Sequence, residues 1–226
     1  DAQMRIFNAD GSEGKMCGNG IRCVGKYLYD NGMTDGRTTI TIDTLSGVKT
    51  LELNVRDGKM QTARVDMGAA ILEPAKIPVN MAGSSVIDAP LVVDEKVYHV
   101  TCVSMGNPHC VIFFNEDDVD DLDLSRLGPK FEHHPLFPER INTEFVNVLP
   151  DGSLKMRVWE RGSGETWACG TGACATGVAA CLNGFCKPDT DITVHLRGGD
   201  LTIRYTTETV FMTGAAATVF KGEIEL

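Results

Sequence analysis

Two stretches of this chain put a cysteine in the same setting, Cys17-Gly18-Asn19-Gly20 and Cys169-Gly170-Thr171-Gly172, each ahead of an apolar helical pattern. The start of a helix carries unpaired backbone N–H groups and the positive end of the helix dipole. A thiol placed there is expected to have a lowered pKa and an accessible thiolate. The flanking glycines let a ligand approach the backbone, and the same N–H groups can hold a carboxylate. One cysteine before a helix reads most simply as a small apolar filler. The same cysteine in the same Gly-x-Gly context twice in one chain points to chemistry. If the two helix ends come together, two thiols face each other across one small anionic ligand. A thiolate on one face of a carbon and a thiol on the other can remove a proton and return one with inversion, and exchanging their protonation runs the reaction backward. The α-proton of an amino acid is very weakly acidic, so the enolate-like charge needs aligned N–H donors in a dry site. Two helix N-termini supply them.

The elements that must position these thiols repeat. A displacement of 152 residues aligns Arg5 with Arg157, Glu13 with Glu165, Cys17 with Cys169, Gly18 with Gly170, Gly20 with Gly172 and Gly25 with Gly177. It continues through Asn31 and Asn183, Gly32 and Gly184, Ile40 and Ile192, Thr41 and Thr193, Gly47 and Gly199, and Thr50 and Thr202. Such self-similarity is what an internal duplication leaves behind, and it implies two like domains. Each copy reads as an apolar strand (Met4–Phe7; Lys155–Trp159), a polar loop, the cysteine segment, a helix and then alternating strands. Ile21, Val24, Tyr27 and Leu28 carry the first helix, and Ala175, Val178, Ala179 and Leu182 the second, with Gly32 and Gly184 as stops. Alternation over 38–44, 48–55, 59–67, 191–196 and 201–206 predicts half-buried antiparallel strands. Residues 90–114 add strands around the turn Gly106-Asn107-Pro108, and 122–131 allow a short helix. The expected fold is α+β, two pseudo-repeated domains, each a curved, mostly antiparallel sheet or barrel wrapped around a central helix. The first domain is expected over 1–67 plus 214–226 and the second over 68–213.

With 226 residues, 42% of them apolar, the chain can bury one large core or two modest ones, and it reads as a soluble globular protein. Its formal charge of −10 argues against nucleic acid or an anionic membrane as a partner. Eight cysteines in a chain of this length are expected to be reduced thiols in a cytosol-like compartment rather than a disulfide framework. Cys23, Cys102, Cys110, Cys174, Cys181 and Cys186 lack the Gly-x-Gly context and are expected in the core. The cysteine spacings do not form the paired clusters of a zinc site, and neither Gly-x-Gly segment has the third glycine of a dinucleotide loop. No metal and no cofactor are expected. His99, His133, His134 and His195 read as ordinary. The sequence enters a strand pattern at Asp1, from which we expect the first domain to be N-terminally incomplete.

The segments RIFNADGSE (5–13), CGNGIRC (17–23), VSMGNPHCV (103–111) and ERGSGETWACGTGACA (160–175) together resemble diaminopimelate epimerases, in order and over nearly the whole chain. Proline and hydroxyproline racemases are similar in fold and thiol pair but usually carry His at the place of Asn19. Phenazine-type isomerases of the same fold lack the thiol pair. The resemblance implies cofactor-independent interconversion of LL- and meso-diaminopimelate, in lysine and peptidoglycan-precursor biosynthesis. It implies Cys17 and Cys169 as the acid/base pair, with the backbone around Gly18, Asn19, Gly170 and Thr171 on the reacting α-carboxylate. Glu160 and the Arg161 main chain would meet the reacting amino group. Asn8, Asn107, Asn142 and the Arg161 guanidinium would recognise the far end of the ligand, and His109 with Glu160 would poise the thiols. It further implies a homodimer in the cytoplasm, or in the plastid stroma of a plant. The family's opening Met-His-Gly and Asn-Asp-Phe elements are not in this sequence. The alternatives are a racemase of the proline or hydroxyproline type and a non-catalytic amino-acid binding module.

Overall fold

In this computed structural model, which describes residues 1–7, 11 and 13–224, the chain divides into two units, Asp1–Val65 with Thr213–Leu226, and Asp66–Met212. The first holds strands β1 (Ala2–Gln3), β2 (Ile6–Phe7) and β3 (Glu13–Gly14), helix α1 (Gly18–Asp30), and strands β4 (Thr39–Asp43), β5 (Lys49–Arg56) and β6 (Lys59–Asp66). β1 runs parallel to β4, while β4–β5, β5–β6 and β2–β3 are antiparallel. Helix α1 buries Gly18, Ile21, Arg22 and Gly25, a stripe at i, i+3, i+4 and i+7 that faces its sheet. A Cβ on Gly25 would stand 2.9 Å from Leu51 Cδ2, so the glycine sets how closely helix and strand approach. The helix stops at Asn31, followed by Gly32 at φ +74°, a backbone conformation that favours glycine.

The second unit contains β7 (Ala89–Val93), β8 (Lys96–Ser104), β9 (Pro108–Phe114), α2 (Leu124–Glu132), β10 (Asn142–Val148), β11 (Leu154–Glu160) and β12 (Gly164–Thr166). These are followed by α3 (Gly170–Leu182), β13 (Ile192–Leu196), β14 (Gly199–Tyr205) and β15 (Val210–Ala215), of which Val210–Met212 belong to this unit. Strand order is β15-β14-β13-β11-β10-β9-β8-β7, with β12 on the side of β11. The β9–β10 and β11–β13 pairs are parallel. Helix α3 touches β8, β9, β10, β13 and β14, and Gly172 through Ala180 are all buried. The sheet wraps around it.

The antiparallel strands expected over 38–67 and 191–206 are present, but the second half of β8, β9 and most of β10 are buried on both faces rather than half-buried. Helix α3 covers one side of these strands. On the other, Phe131, Phe137 and Phe145 join Val100, Cys102, Cys110 and Ile112 in an apolar cluster beneath α2. A Cβ on Gly128 of α2 would stand 2.2 Å from Trp159 Cδ2, so the helix lies directly on that indole.

The duplication is visible in register. Ile40 opposes Leu51 and Thr41 opposes Thr50 in the first copy; Ile192 opposes Ile203 and Thr193 opposes Thr202 in the second. Ala2 pairs with Ile42 as Leu154 pairs with Val194, and Phe7 with Glu13 as Trp159 with Glu165. Across each of these last hairpins runs a two-pronged ion pair. Arg5 Nε and Nη2 lie 2.8 and 3.0 Å from Glu13 Oε1 and Oε2, and Arg157 meets Glu165 at the same two distances.

Two expectations need correction. Of the strand expected over Met4–Phe7 only Ile6–Phe7 forms, as β2 paired with β3, and the pairing with β4 is made by the residues just before it, Ala2–Gln3 of β1. Continuous β11 serves both partners in the other copy. Of the six cysteines expected in the core, Cys102, Cys110 and Cys174 are buried, Cys181 and Cys186 are half-buried at and beyond the end of α3, and Cys23 is exposed. Cys23 lies two residues beyond Ile21 and therefore on the outer face of α1.

Candidate active site

Both motif cysteines are helix N-caps. Cys17 (φ −135°, ψ 115°) accepts the Gly20 amide on Sγ at 3.3 Å, and Cys169 (φ −120°, ψ 110°) accepts the Gly172 amide at 3.4 Å. Sulfur stands where a serine or aspartate oxygen usually caps. At α3 the glycine three residues on leaves room for this approach, since a Cβ at Gly172 would lie 3.3 Å from Cys169 Sγ, whereas at α1 a Cβ at Gly20 would make an ordinary contact, 3.5 Å from Cys17 Sγ.

The surroundings of the two sulfurs differ. In the first unit Cys17 is half-buried, and the buried Arg22 guanidinium donates to Gly18 O (2.9 Å), Asn19 Oδ1 (3.1 Å) and Ala215 O (3.3 Å). In the second unit Cys169 is only 6% exposed and lies 3.5 Å from Thr171 Oγ1. Asn107 Nδ2 donates to that hydroxyl oxygen at 3.2 Å, and Asn107 Oδ1 is 3.0 Å from His109 Nε2. His109 Nδ1 is in turn 2.7 Å from Oε1 of Glu144, and both of these side chains are fully buried. The expected lowering of the thiol pKa is reversed at Cys169. Burial first, and then the charges of Glu160 and Glu144, push its thiol well above the usual range, while the Thr171 hydroxyl and Gly172 amide oppose the rise. The expected accessible thiolate is therefore a buried thiol here.

Glu160, at the end of β11, accepts a hydrogen bond from the Thr166 hydroxyl. Asn142 is buried; its Nδ2 donates to Pro108 O at 2.7 Å, and its Oδ1 accepts the Arg161 amide at 2.9 Å. Both ends of its amide thus brace the backbone. The Arg161 guanidinium is exposed and donates to Glu139 O at 2.9 Å. Gly170 and Thr171 open α3, and Gly18 and Asn19 open α1. Asn8 lies outside the described residues. The second unit thus gathers Cys169, Thr171, Asn107 and His109 into one hydrogen-bonded chain and places Asn142 under Arg161.

Three charged residues of these sites escaped sequence reasoning. Arg22 supports the first turn of α1. Glu132 accepts the Trp159 indole at 2.7 Å and the Gly162 amide at 2.8 Å, fixing the loop that follows Glu160. Burial alone would raise Glu132, but those two donors and the nearby His133 and Arg140 hold its carboxyl below the usual range. Glu144 lies beneath Cys169. Its only signal in the sequence is an acid inside an otherwise uncharged strand.

His195 also stands between Asp200 (2.8 Å) and Ser153 (3.2 Å), an order that resembles a hydrolase triad. Ser153, however, gives its hydroxyl proton to Asp151 at 2.6 Å and is no nucleophile for His195 to activate. Among the described residues, no three His, Cys, Asp or Glu side chains gather as metal ligands would.

Residues 1–73 and 101–219 match the sequence profile of diaminopimelate epimerase. The chain belongs to the diaminopimelate epimerase family. It is 55% identical to the diaminopimelate epimerase of Agathobacter rectalis over 235 residues, covering 100% of this chain and 81% of that one. It is 54% identical to that of Acetivibrio thermocellus (100% and 80% covered) and 50% identical to that of a Methanococcus maripaludis strain (100% and 80%). Among solved structures, a probable proline racemase of Agrobacterium radiobacter with bound carbonate superposes with a TM-score of 0.76 at 14% identity, covering 99% of this chain and 72% of that one. A hydroxyproline epimerase of Agrobacterium vitis with bound trans-4-hydroxy-L-proline gives 0.71 at 16% identity, covering 94% and 67%. At these identities the likeness to the solved structures is one of fold. This family member shares the α+β architecture of those racemases and has the epimerase sequence pattern.

Proposed function

We propose that this chain is a cofactor-independent isomerase that interconverts LL- and meso-2,6-diaminopimelate, in lysine and peptidoglycan-precursor biosynthesis. The observation that carries the reading is the pair of cysteine N-caps, each with its sulfur on the amide of a glycine three residues on, in a member of this family.

One sulfur, as thiolate, takes the α-proton, and the other, as thiol, gives a proton to the opposite face of the same carbon. Charge then develops on the α-carboxylate. At the start of α3 the Gly170 and Thr171 amides precede the one donated to sulfur and aim at this carboxylate, and Gly18 and Asn19 act in the same way at the start of α1. Glu160 meets the reacting ammonium. Because the Glu160 charge helps keep Cys169 protonated, neutralising it with the substrate's ammonium eases ionisation of Cys169 when substrate is bound. Asn107 and the Arg161 guanidinium recognise the far ammonium and carboxylate, together with Asn8. Asn142 acts through Pro108 and Arg161, which it holds. His109 poises Cys169 through Asn107 and Thr171. The reading carries with it a homodimer and a cytoplasmic location, or the stroma in a plant.

The test is proton NMR of LL- or meso-diaminopimelate with reduced protein in deuterated buffer, beside Cys17→Ala and Cys169→Ala. Loss of the α-proton signal should accompany appearance of the other stereoisomer, and both variants should be silent. A folded, reduced protein that binds the amino acid but leaves its α-proton in place would make this a binding module. Turnover of proline or hydroxyproline instead would move it to the racemases.

A further inference from the structure

We propose that Glu144 is a positioning residue for Cys169: by keeping a proton on Nε2 of His109, it fixes the direction of a chain of hydrogen bonds that ends with the Thr171 hydroxyl donating to Cys169 Sγ. The inference rests on the functional reading above only in its consequence for turnover; the proton arrangement stands apart from it.

The direction follows from the groups themselves. Glu144 Oε1 is 2.7 Å from His109 Nδ1, and at that distance a proton must lie between them, because a carboxylate and a bare imidazole nitrogen would set lone pair against lone pair. Nε2 faces Asn107 Oδ1, which can only accept, so it too carries a proton, and the Glu144–His109 pair holds two protons, as imidazolium with carboxylate or as imidazole with carboxylic acid. Nε2 donates to Asn107 Oδ1 at 3.0 Å, which orients the amide so that Asn107 Nδ2 donates to Thr171 Oγ1 at 3.2 Å. With its oxygen accepting, the Thr171 hydroxyl has its hydrogen to offer, and Cys169 Sγ lies 3.5 Å away. Each bond constrains the next.

Glu144 is fully buried on β10, and its Oε2 has no hydrogen-bond partner among the described residues. A Cβ at Gly172 would stand 2.7 Å from Glu144 Oε1, so this glycine is also what lets the carboxylate lie under the first turn of α3. The titratable groups that face it are His109 and Cys110 from β9, Glu160 from β11 and Cys169 from α3; burial, helped by Glu160, pushes the Glu144 carboxyl up, while His109 opposes the rise. Without the carboxylate, His109 is free to move its proton to Nδ1. Asn107 can then turn its amide over, and the Thr171 hydroxyl is drawn toward Asn107 Oδ1 and away from the sulfur.

The experiment is nitrogen-15 NMR of histidine-labelled protein without substrate, with His109 assigned from His109→Asn, together with steady-state kinetics of Glu144→Leu and Glu144→Gln. The wild type should show His109 protonated on Nε2. Glu144→Leu should lose that state and lower kcat about tenfold or more with KM within about twofold, a loss confined to the transition state. Glu144→Gln, whose amide can still donate to Nδ1, should keep the Nε2 proton and most of kcat. Removing the carboxylate also removes a charge that keeps the thiol protonated, so a fall in kcat reads the donor chain and not that charge. A wild-type His109 without a proton on Nε2 overturns the proposal, as does a Leu variant that keeps both tautomer and kcat. If the Leu variant does not fold, the wild-type spectrum and the Gln variant decide. An inactive wild type with the expected spectrum would sink the functional reading and leave the proton arrangement standing.

Discussion

A cysteine that caps a helix has two jobs, and they can be separated. In Cys169→Ser an oxygen keeps the cap, so the melting temperature should hold, while turnover falls about a thousandfold or more for want of a matched acid and base. Cys169→Ala should lose turnover equally and about 1 kcal/mol of stability with the missing cap. The raised Cys169 thiol gives a second prediction. Its thiolate is populated only as pH climbs past the ordinary cysteine range, so alkylation located by peptide mass should be slow at neutral pH and rise in alkali. Glu160→Gln removes one of the charges that raise the thiol and should speed the labelling at any given pH, even as turnover drops. If labelling is unchanged, Glu160 is not coupled to the sulfur. The two cysteine caps were legible because a rare residue recurs in one context. Glu144, Arg22 and Glu132 were not, because what gives each its meaning is a partner brought close by folding: Glu144 meets His109 across 35 positions of sequence and Arg22 meets Ala215 across 193.

Helices α1 and α3 each come close to a strand at a glycine, and the two glycines are related by the duplication. Gly25 faces Leu51, and Gly177 faces Ile203, at positions that the 152-residue displacement also relates. A Cβ at Gly177 would lie 2.7 Å from Ile203 Cγ2 and 3.1 Å from its Cβ, on a branched side chain that cannot swing away. Gly177→Ala should therefore cost about 1–3 kcal/mol in denaturant unfolding. Gly25→Ala should cost less, since the clash there is with the far end of a leucine. Equal losses would mean that the helices, and not the facing side chains, resist. Both helices were legible at either end, from the cysteine segment to Asn-Gly, because caps and periodicity are local signals. Strands β10 and β12 and the break between β1 and β2 were not. Their boundaries are set by which neighbour the chain pairs with, and the parallel pairs β9–β10 and β11–β13 join segments far apart in sequence.

For the molecule as a whole, an excess of ten negative charges predicts retention on an anion exchanger and passage through a heparin column at neutral pH and low salt. Retention on heparin would reveal a local basic surface that the total conceals. The homodimer belonging to the functional reading predicts twice the chain mass by sedimentation equilibrium, a result that does not depend on turnover. Sequence reasoning saw the doubling of the fold because a displacement needs no structure to find it. It could not see that even the strand registers coincide. The hairpin ion pairs have a consequence for ancestry. Two copies of one segment drift separately, and most loop positions between them have diverged, yet Arg5–Glu13 and Arg157–Glu165 keep the same two contacts. A single substitution at either residue removes both contacts at once, so a hairpin keeps this geometry only while both residues stay. The shape of the loop that delivers each cysteine is thereby inherited as a unit, and descendants of either copy should differ in this pair by both residues or by neither.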